Sequence, residues 1–411
     1  MLARPIHFHL LCICILFVAL FGTALTTLAA YDPASDYYSA TPALAGGASL
    51  KASLHQIVRG HTKLSYTPGV WNALRNLDQD PADSNNVILI YNGASRPKSL
   101  QDPGNENDNY WNREHVWPLS LGPGTTSADA GTDLHHLFAS DKNVNARRGN
   151  LPFDDIISGG TTDPEAPLSR YNSSAYEPRD ADKGRIARAL FYMAVRYEPN
   201  DDVAAVGDLE LQPTTSVSGN NMGNRSTLLA WHRAFPPTEA ERIRNHKVDT
   251  LYQGNRNPFI DNPLFADRVF NGDTPFDAWR RPHFTQAQLG LTAVSGNTAD
   301  PDGDGLANLL EFAFNLVPHT ADAGTATTLT LLAPTSPGGP SRLSVAHRRH
   351  RYATDVTIRY EISPDLASWT EVTPTTTNTL YLDAQTDRVT IEVPMAGASR
   401  FIRVRATRSV P

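Results

Sequence analysis

From Ser49 the apolar positions Leu50, Leu54, Ile57 and Val58 share one helical face, and Gly60 stops the run, which predicts a helix. Val70, Trp71, Leu74 and Leu77 repeat that spacing and predict a second, shorter one. Residues 86–91 (NVILIY) are instead a continuous branched run, read as a buried strand closed by Asn92-Gly93. A longer helical period occupies 181–198, with Asp180 as its expected cap and Ile186, Ala189, Leu190, Met193 and Tyr197 as its stripe. Lys183, Arg185 and Arg188 fall on its polar side. Residues 228–235 and a charged helix over 238–252 follow, and 253–263 reads as a polar loop clamped by Phe259 and Ile260. After a passage of mixed character at 275–297, read as a linker, the period shortens to two. VTIRYEI (356–362), RVTIEV (388–393) and RFIRVRA (400–406) predict a small antiparallel β domain, with Trp369 and Phe401 in its core.

Length and composition refine this picture. At 411 residues and 40% hydrophobic, the chain has room for two domains, or for a large one with an accessory. Its start reads as a signal peptide, residues 1–30: Arg4, an apolar run over 10–20, and a small-residue exit at Thr27-Leu28-Ala29-Ala30. Cleavage near Ala30 makes the protein secreted, periplasmic or surface-held, with no membrane span in the mature chain. Residues 31–48 then read as a flexible lead-in. Both cysteines, Cys12 and Cys14, lie in the signal, so the mature chain has neither disulfide nor thiol nucleophile. The formal charge of −7 becomes −8 once Arg4 is removed. That excludes a protein gripping nucleic acid along an extended basic surface, but not a compact site with local cations. No protein partner is implied.

Candidate chemistry concentrates in 111–153. Glu114 and His115 sit at an expected strand end before Pro118. Residues 133–138 (DLHHLF) read as the returning strand, with His135 and His136 on opposite faces, and Ser140 or Asp141 as the start of a short helix carrying Asn145, Arg147 and Arg148. Such a frame suits phosphodiester hydrolysis, which needs a base for water and a hard cation for the phosphate. Histidine suits the first task, and a Glu carboxylate with an Asn carbonyl oxygen suits Mg2+ in the second. An oxygen site of this kind argues against zinc. Arg147 or Arg148 can fork onto a phosphate oxygen, while Asp133, His135 and His136 read as framework behind the reacting groups.

REHVWP, DLHHL and VNxRRGN, in this order, resemble the endonuclease I family of secreted and periplasmic bacterial nucleases, within the ββα-metal (His-Me finger) superfamily. LHQIVRGHTKLSY (54–66), NVILIYNG (86–93), KGRIARALFYMAVRYE (183–198), LLAWH (228–232) and QGNRNPFID (253–261) extend the resemblance over 49–271. It implies His115 as general base, Glu114 and Asn145 as holders of a catalytic Mg2+, and DNA, RNA or both as substrate with little sequence preference. Some members also hold the cleaved phosphate with an arginine between the two strands. No arginine lies between His115 and Leu137 here, which leaves Arg147 or Arg148 for that role.

A second metal signal is DPDGDGLANLLE (300–311). Asp300, Asp302, Asp304, the Leu306 carbonyl, Asn308 and Glu311 occupy positions 1, 3, 5, 7, 9 and 12 of a calcium loop, and Gly305 supplies the turn at position 6. The loop resembles dockerin-like and thrombospondin type 3 segments, where Ca2+ is structural. The expected whole is an α+β chain: a mixed helical nuclease domain with an inserted ββα-metal motif (49–271), a linker (272–299), a calcium loop and short helix (300–318), and a sandwich-like accessory β domain (327–411). The competing reading is a calcium-stabilised adhesion protein with a retired nuclease-like site.

Overall fold

The computed structural model describes residues 31–105, 109–199, 206–215, 217–334, 336, 339–395 and 401–410. The signal peptide expected at 1–30 lies outside them. Residues 33–273 form one unit, and the described residues from 274 onward belong to a second. Helices and several β-sheets make the chain an α+β protein. Among the described residues no helix is long and apolar enough to cross a membrane.

The stripe beginning at Ser49 forms α1 (Gly47–Val58), which buries Leu50, Leu54 and Val58, and the second stripe forms α2 (Trp71–Leu77). The run at 86–91 does not stay extended. It yields β1 (Asn86–Ile88), paired with β2 (Ser95–Pro97), and breaks at Tyr91, whose φ is 76°. Its tail joins the central motif instead, the Ile90 amide donating to the Ala139 carbonyl at 2.9 Å.

That motif begins with β3 (Trp111–His115), antiparallel to β4 (Leu137–Asp141), with Glu114 opposite Phe138 and His115 opposite Leu137. The returning strand therefore starts later than the 133–138 expected from sequence. Residues 133–136 form a turn because the Asp133 side chain accepts the His135 amide at 2.9 Å, and its carbonyl accepts that of His136. Asp141 then caps α3 (Lys142–Arg148) by accepting the amides of Asn143 and Val144. A three-stranded sheet follows, β5 (Thr161–Asp163), β6 (Ala166–Tyr171) and β7 (Tyr176–Glu177).

The expected core helix is α4 (Asp180–Arg196). Asp180 lies in its first turn rather than capping it, and 14 of its 17 residues are buried, so it is enclosed rather than amphipathic. α5 (Arg225–Ala234) crosses it closely at Gly184, where a Cβ would stand 2.1 Å from the Phe235 carbonyl oxygen. α6 (Glu239–Lys247) starts from a Thr238–Glu241 capping box and continues as a π-helical turn over Val248–Gln253, so the helical run reaches the end expected at 252. α7 (Leu264–Asn271) packs near α1. The lead-in is tied down rather than loose: the Tyr38 hydroxyl donates to Asp261 at 2.6 Å, and Arg268 donates to the carbonyls of Pro42, Ala43 and Ala45.

In the second unit the passage read as a linker carries three short helices, Pro275–Arg280, Gln286–Leu289 and Thr292–Ser295. Phe276 and Trp279 make it part of a packed core, since both rings lie against Phe312 of α8 (Asn308–Phe314). Two antiparallel sheets follow. One has the order β8 (Thr327–Leu332), β9 (Arg342–His350), β13 (Thr386–Pro394), β12 (Thr376–Asp383); the other β11 (Thr370–Glu371), β10 (Val356–Ser363), β14 (Phe401–Arg408). Val345, Val389, Ile391 and Val393 are the buried centre. Phe401 is not in that core but 38% exposed, because β14 turns Ile402 and Val404 inward and leaves Phe401 on the outer parity with Arg403 and Arg405. Trp369 is half-buried beneath the Arg403 guanidinium rather than in the core.

Candidate active site

His115 ends β3 and its Nε2 lies 3.0 Å from the Gly131 carbonyl oxygen. A carbonyl only accepts, so Nε2 carries the proton and Nδ1 presents a lone pair. Burial, with His136 beside it, lowers the His115 pKa to about 3, which keeps the ring uncharged at neutral pH. Neighbouring Glu114 is buried, and the Tyr91 hydroxyl and Arg148 Nη1 (3.1 Å) both donate to its Oε1. Burial pushes this carboxyl up, against the opposing pull of Arg148 and Tyr91.

α3 lays its residues against β3. Asn145 Nδ2 donates to Asn112 Oδ1 at 2.8 Å and to the Arg113 carbonyl at 3.2 Å. These two acceptors decide which end of the amide is nitrogen and leave Oδ1 outside both bonds. Thus Asn145 is pinned to the residue preceding Glu114. One turn on, buried Arg148 donates to the carbonyls of His115 (2.9 Å) and Val116 as well as to Glu114. Arg147 leaves this cluster and pairs with Asp163 at 2.6 Å and with Glu165. Both arginines expected to grip phosphate are thus occupied by the protein's own carboxylates.

The framework residues lie one layer back. His136 Nε2 is 2.6 Å from the Ala130 carbonyl, and its ring is 5.4 Å from that of His115. His135 Nε2 is 3.2 Å from the Asn255 carbonyl. Burial lowers both pKa values to about 4. Asp133 is buried and accepts the hydroxyls of Tyr192 (2.8 Å) and Tyr197 (2.9 Å), the Gln253 amide (3.0 Å) and the His135 backbone. The loop that presents the Ala130 and Gly131 carbonyls is therefore anchored to α4. It is also tightly folded: a Cβ on Gly131 would meet the Thr125 carbonyl oxygen at 2.1 Å.

Two residues outside the sequence-derived set border His115. The Tyr66 ring is stacked on it at 5.9 Å and 24°. The Arg113 guanidinium lies 3.3 Å from the Tyr66 centroid and 4.2 Å from that of Trp71. The signal for Arg113 was strand parity, which places it on the face of His115; Tyr66 carried no such signal, since its approach is tertiary.

Over residues 46–264 the sequence matches the Endonuclease I family. The chain belongs to this family. An extracellular ribonuclease of Bacillus amyloliquefaciens is 47% identical over 256 residues, 61% of this chain and 85% of that protein. The extracellular ribonuclease of Bacillus subtilis (strain 168) is 47% identical over 253 residues, 61% and 84% of the two chains. An extracellular deoxyribonuclease of Aeromonas hydrophila is 29% identical over 133 residues, 31% of this chain and 49% of that protein. Membership of the endonuclease I family makes this chain a phosphodiester hydrolase, and the ββα frame lies inside the matched span.

Two carboxylate groups are arranged so that they can hold a divalent ion: Glu198, Asp208 and Glu210 inside the endonuclease I span, and Asp300, Asp302 and Asp304 beyond it. In the first, Lys51 already sits between Glu198 and Glu210 at 2.5 Å from each, occupying the place of a cation. Among the described residues the second has no such lysine. Asp300 accepts the amides of Gly303 and Gly305, and Asp304 accepts that of Leu306. Glu311 is fully buried with neither carboxylate oxygen hydrogen-bonded. Burial and then Asp302, Asp304, Asp322 and Asp300 raise its pKa to about 8. Asp322 was not legible in the twelve-residue pattern; its amide and that of Ala323 reach Asp304 Oδ2 at 2.9 and 2.7 Å. Asn308 directs its amide nitrogen to the carbonyls of Val294 and Gly296, while its Oδ1 is buried without a partner.

Proposed function

We propose that this chain is an exported, Mg2+-dependent, sequence-nonspecific endonuclease acting on RNA and, as a second polymer, DNA. The observation that carries the reading is a neutral, carbonyl-tethered His115 beside two hard oxygen donors, Glu114 and Asn145. His115 Nδ1 takes the proton of the attacking water, and the Gly131 carbonyl holds the ring and stabilises the imidazolium that results. Glu114 through Oε2 and Asn145 through Oδ1, the atoms left outside the bonds described above, would hold Mg2+. Bound there, the ion supplies positive charge to the phosphate and to the leaving 3′-oxygen. Asp133, His135 and His136 keep the loop and the base in place.

RNA is favoured because relatives named extracellular ribonucleases align over 84–85% of their length, whereas the deoxyribonuclease aligns over 49%. The names of these relatives also support export, with the signal peptide removed near Ala30. Nothing at Glu114, His115 or Asn145 reads base identity, which supports a nonspecific enzyme. The segment from Asp300 to Glu311 is proposed as a structural Ca2+ site using Asp300, Asp302, Asp304, the Leu306 carbonyl, Asn308 and Glu311, ahead of the accessory β domain. Its support is Glu311: a buried carboxylate with four aspartates acting on it and no hydrogen-bond donor has no stable charged state without a cation.

Plasmid DNA and structured RNA incubated with Mg2+ or EDTA, beside His115→Ala, test the reading. Metal-dependent cutting of RNA that is abolished in His115→Ala is the expected result. Cutting that survives unchanged in that variant removes the mechanism.

A further inference from the structure

Arg113 holds a position unlike that of any other cation on the ββα frame. Lys63 pairs with Asp129, Arg96 with Asp141, Lys142 with Asp102, Arg147 with Asp163 and Arg148 with Glu114. Among the described residues no carboxylate lies within the 4.0 Å ion-pair distance of Arg113. Its Nη1 donates to the Tyr66 carbonyl at 2.5 Å and to Thr67 Oγ1 at 3.1 Å, and neither Nε nor Nη2 takes part in these bonds. The side chain is only half exposed to solvent. A partly desolvated guanidinium with no anion is a costly arrangement, and an anionic ligand relieves it.

The geometry says where that ligand sits. Residues two apart on a strand share a face, so Arg113 and His115 project from the same side of β3, while Glu114 projects from the other. Tyr66 spans the two, with the guanidinium on its ring at 3.3 Å and its plane stacked on His115 at 5.9 Å. The Arg113 backbone is fixed as well, its carbonyl accepting Asn145 Nδ2. A planar fork held by an aromatic ring and two hydrogen bonds is oriented before substrate arrives, so little rotational freedom remains to be lost on binding.

Resting on the endonuclease reading above, we propose that Arg113, braced by Tyr66, is the phosphate clamp of this enzyme, donating from Nε and Nη2 to a non-bridging oxygen of the scissile phosphodiester. It supplies from the strand the charge that no residue of the 116–136 loop carries as an arginine. Tyr66 is a positioning residue in this scheme: it holds the guanidinium over its ring and aligns it with His115.

The test uses the full chain, saturating Mg2+ and a short fluorescent RNA, with Arg113→Met, Arg113→Lys, Arg113→Ala, Tyr66→Leu and His115→Ala in one series. Arg113→Met is expected to lose about 10²–10³ in kcat, the usual effect of removing one donor to a developing anion, and Arg113→Lys to recover part of it. Added guanidinium ion, at concentrations that leave the protein folded by circular dichroism, should restore activity to Arg113→Ala but not to His115→Ala. Tyr66→Leu should lower kcat with less effect than Arg113→Met. Arg113→Met within threefold of the parent, or a loss in Arg113→Ala that guanidinium leaves unchanged in a folded protein, overturns the clamp. If His115→Ala is inactive while Arg113→Met is active, only the clamp fails. Should His115→Ala remain active, the endonuclease mechanism fails instead.

Discussion

Replacing Asp133 should separate the anchoring of the active-site loop from the chemistry. The carboxylate is buried and accepts four hydrogen bonds, from Tyr192, Tyr197, Gln253 and the His135 backbone. Burial works against its charge, yet the nearby His61, His135 and His136 and the Gln253 amide outweigh this and hold it well below the usual carboxylate range. Asp133→Ala leaves two tyrosine hydroxyls and an amide unsatisfied in the interior. Each such donor costs about 1–3 kcal/mol, and breaking one side of a buried charged network costs about 3–5 kcal/mol in total. Against a domain stability of roughly 5–15 kcal/mol, the variant should still fold but melt earlier. Asp133→Asn keeps one acceptor and the shape, so it should lose less. Urea unfolding followed by tryptophan fluorescence gives the stability change. RNA cleavage at a temperature where Asp133→Ala is fully folded gives the positioning effect, because the loop delivers the Gly131 carbonyl to His115. A stability change below about 1 kcal/mol, or full activity in the folded variant, would refute the anchoring role.

Three further outcomes follow from the fold. Chelating Ca2+ should lower the melting of the second unit; saturation at about 100 times Kd contributes ~2.7 kcal/mol, roughly 10–20 °C for a small unit, and calorimetry with Ca2+ or EGTA measures it, Mg2+-supported cleavage at low temperature being retained. His232 is buried, and burial with Arg188 holds its pKa near 3, so it stays neutral in the fold and gains a proton on unfolding below about pH 6.5. Stability from this residue is therefore present above pH 6.5 and falls by about 1.4 kcal/mol per unit as pH drops toward 3; a parallel slope in His232→Gln would show that it plays no part. Gly184→Ala should cost about 1–3 kcal/mol or more by driving a Cβ into the Phe235 carbonyl, read as a lower urea midpoint; an unchanged midpoint would mean that α4 and α5 separate freely.

Much of the helical scaffold was legible because one stripe, Leu50 to Val58, or one long apolar period, Ile186 to Tyr197, leaves little choice of structure. The start of α3 at Ser140 or Asp141 was legible for a similar local reason, and Asp141 is the one that caps it. What escaped the sequence depended on partners distant along the chain. The first four residues of the strand expected at 133–138 became a turn because Asp133 folds back on the His135 amide and is locked by tyrosines of α4 and its C-terminal flank. Alternation around Phe401 correctly marked a strand, but which parity faces inward is set by the opposing sheet. Arg148 looked free on a short helix, and only the pairing of β3 with β4 shows that Glu114 takes it. Arg113 escaped because what sets it apart is its placement over the rings of Tyr66 and Trp71, which are distant along the chain.

The contrast between Glu114 and Glu311 bears on the order of events as the protein matures. Glu114 has its own cation in Arg148, so its surroundings are close to neutral before any ion arrives. The nuclease frame can therefore assemble in a medium poor in divalent ions and load afterwards. Glu311 has no such internal substitute, and the charges acting on it most strongly are four aspartates. With Ca2+ bound there as proposed, its segment would gain its ordering energy from the ion itself, and the two ends of the chain would mature by different clocks, the first set by the polypeptide alone and the second by the calcium content of its surroundings.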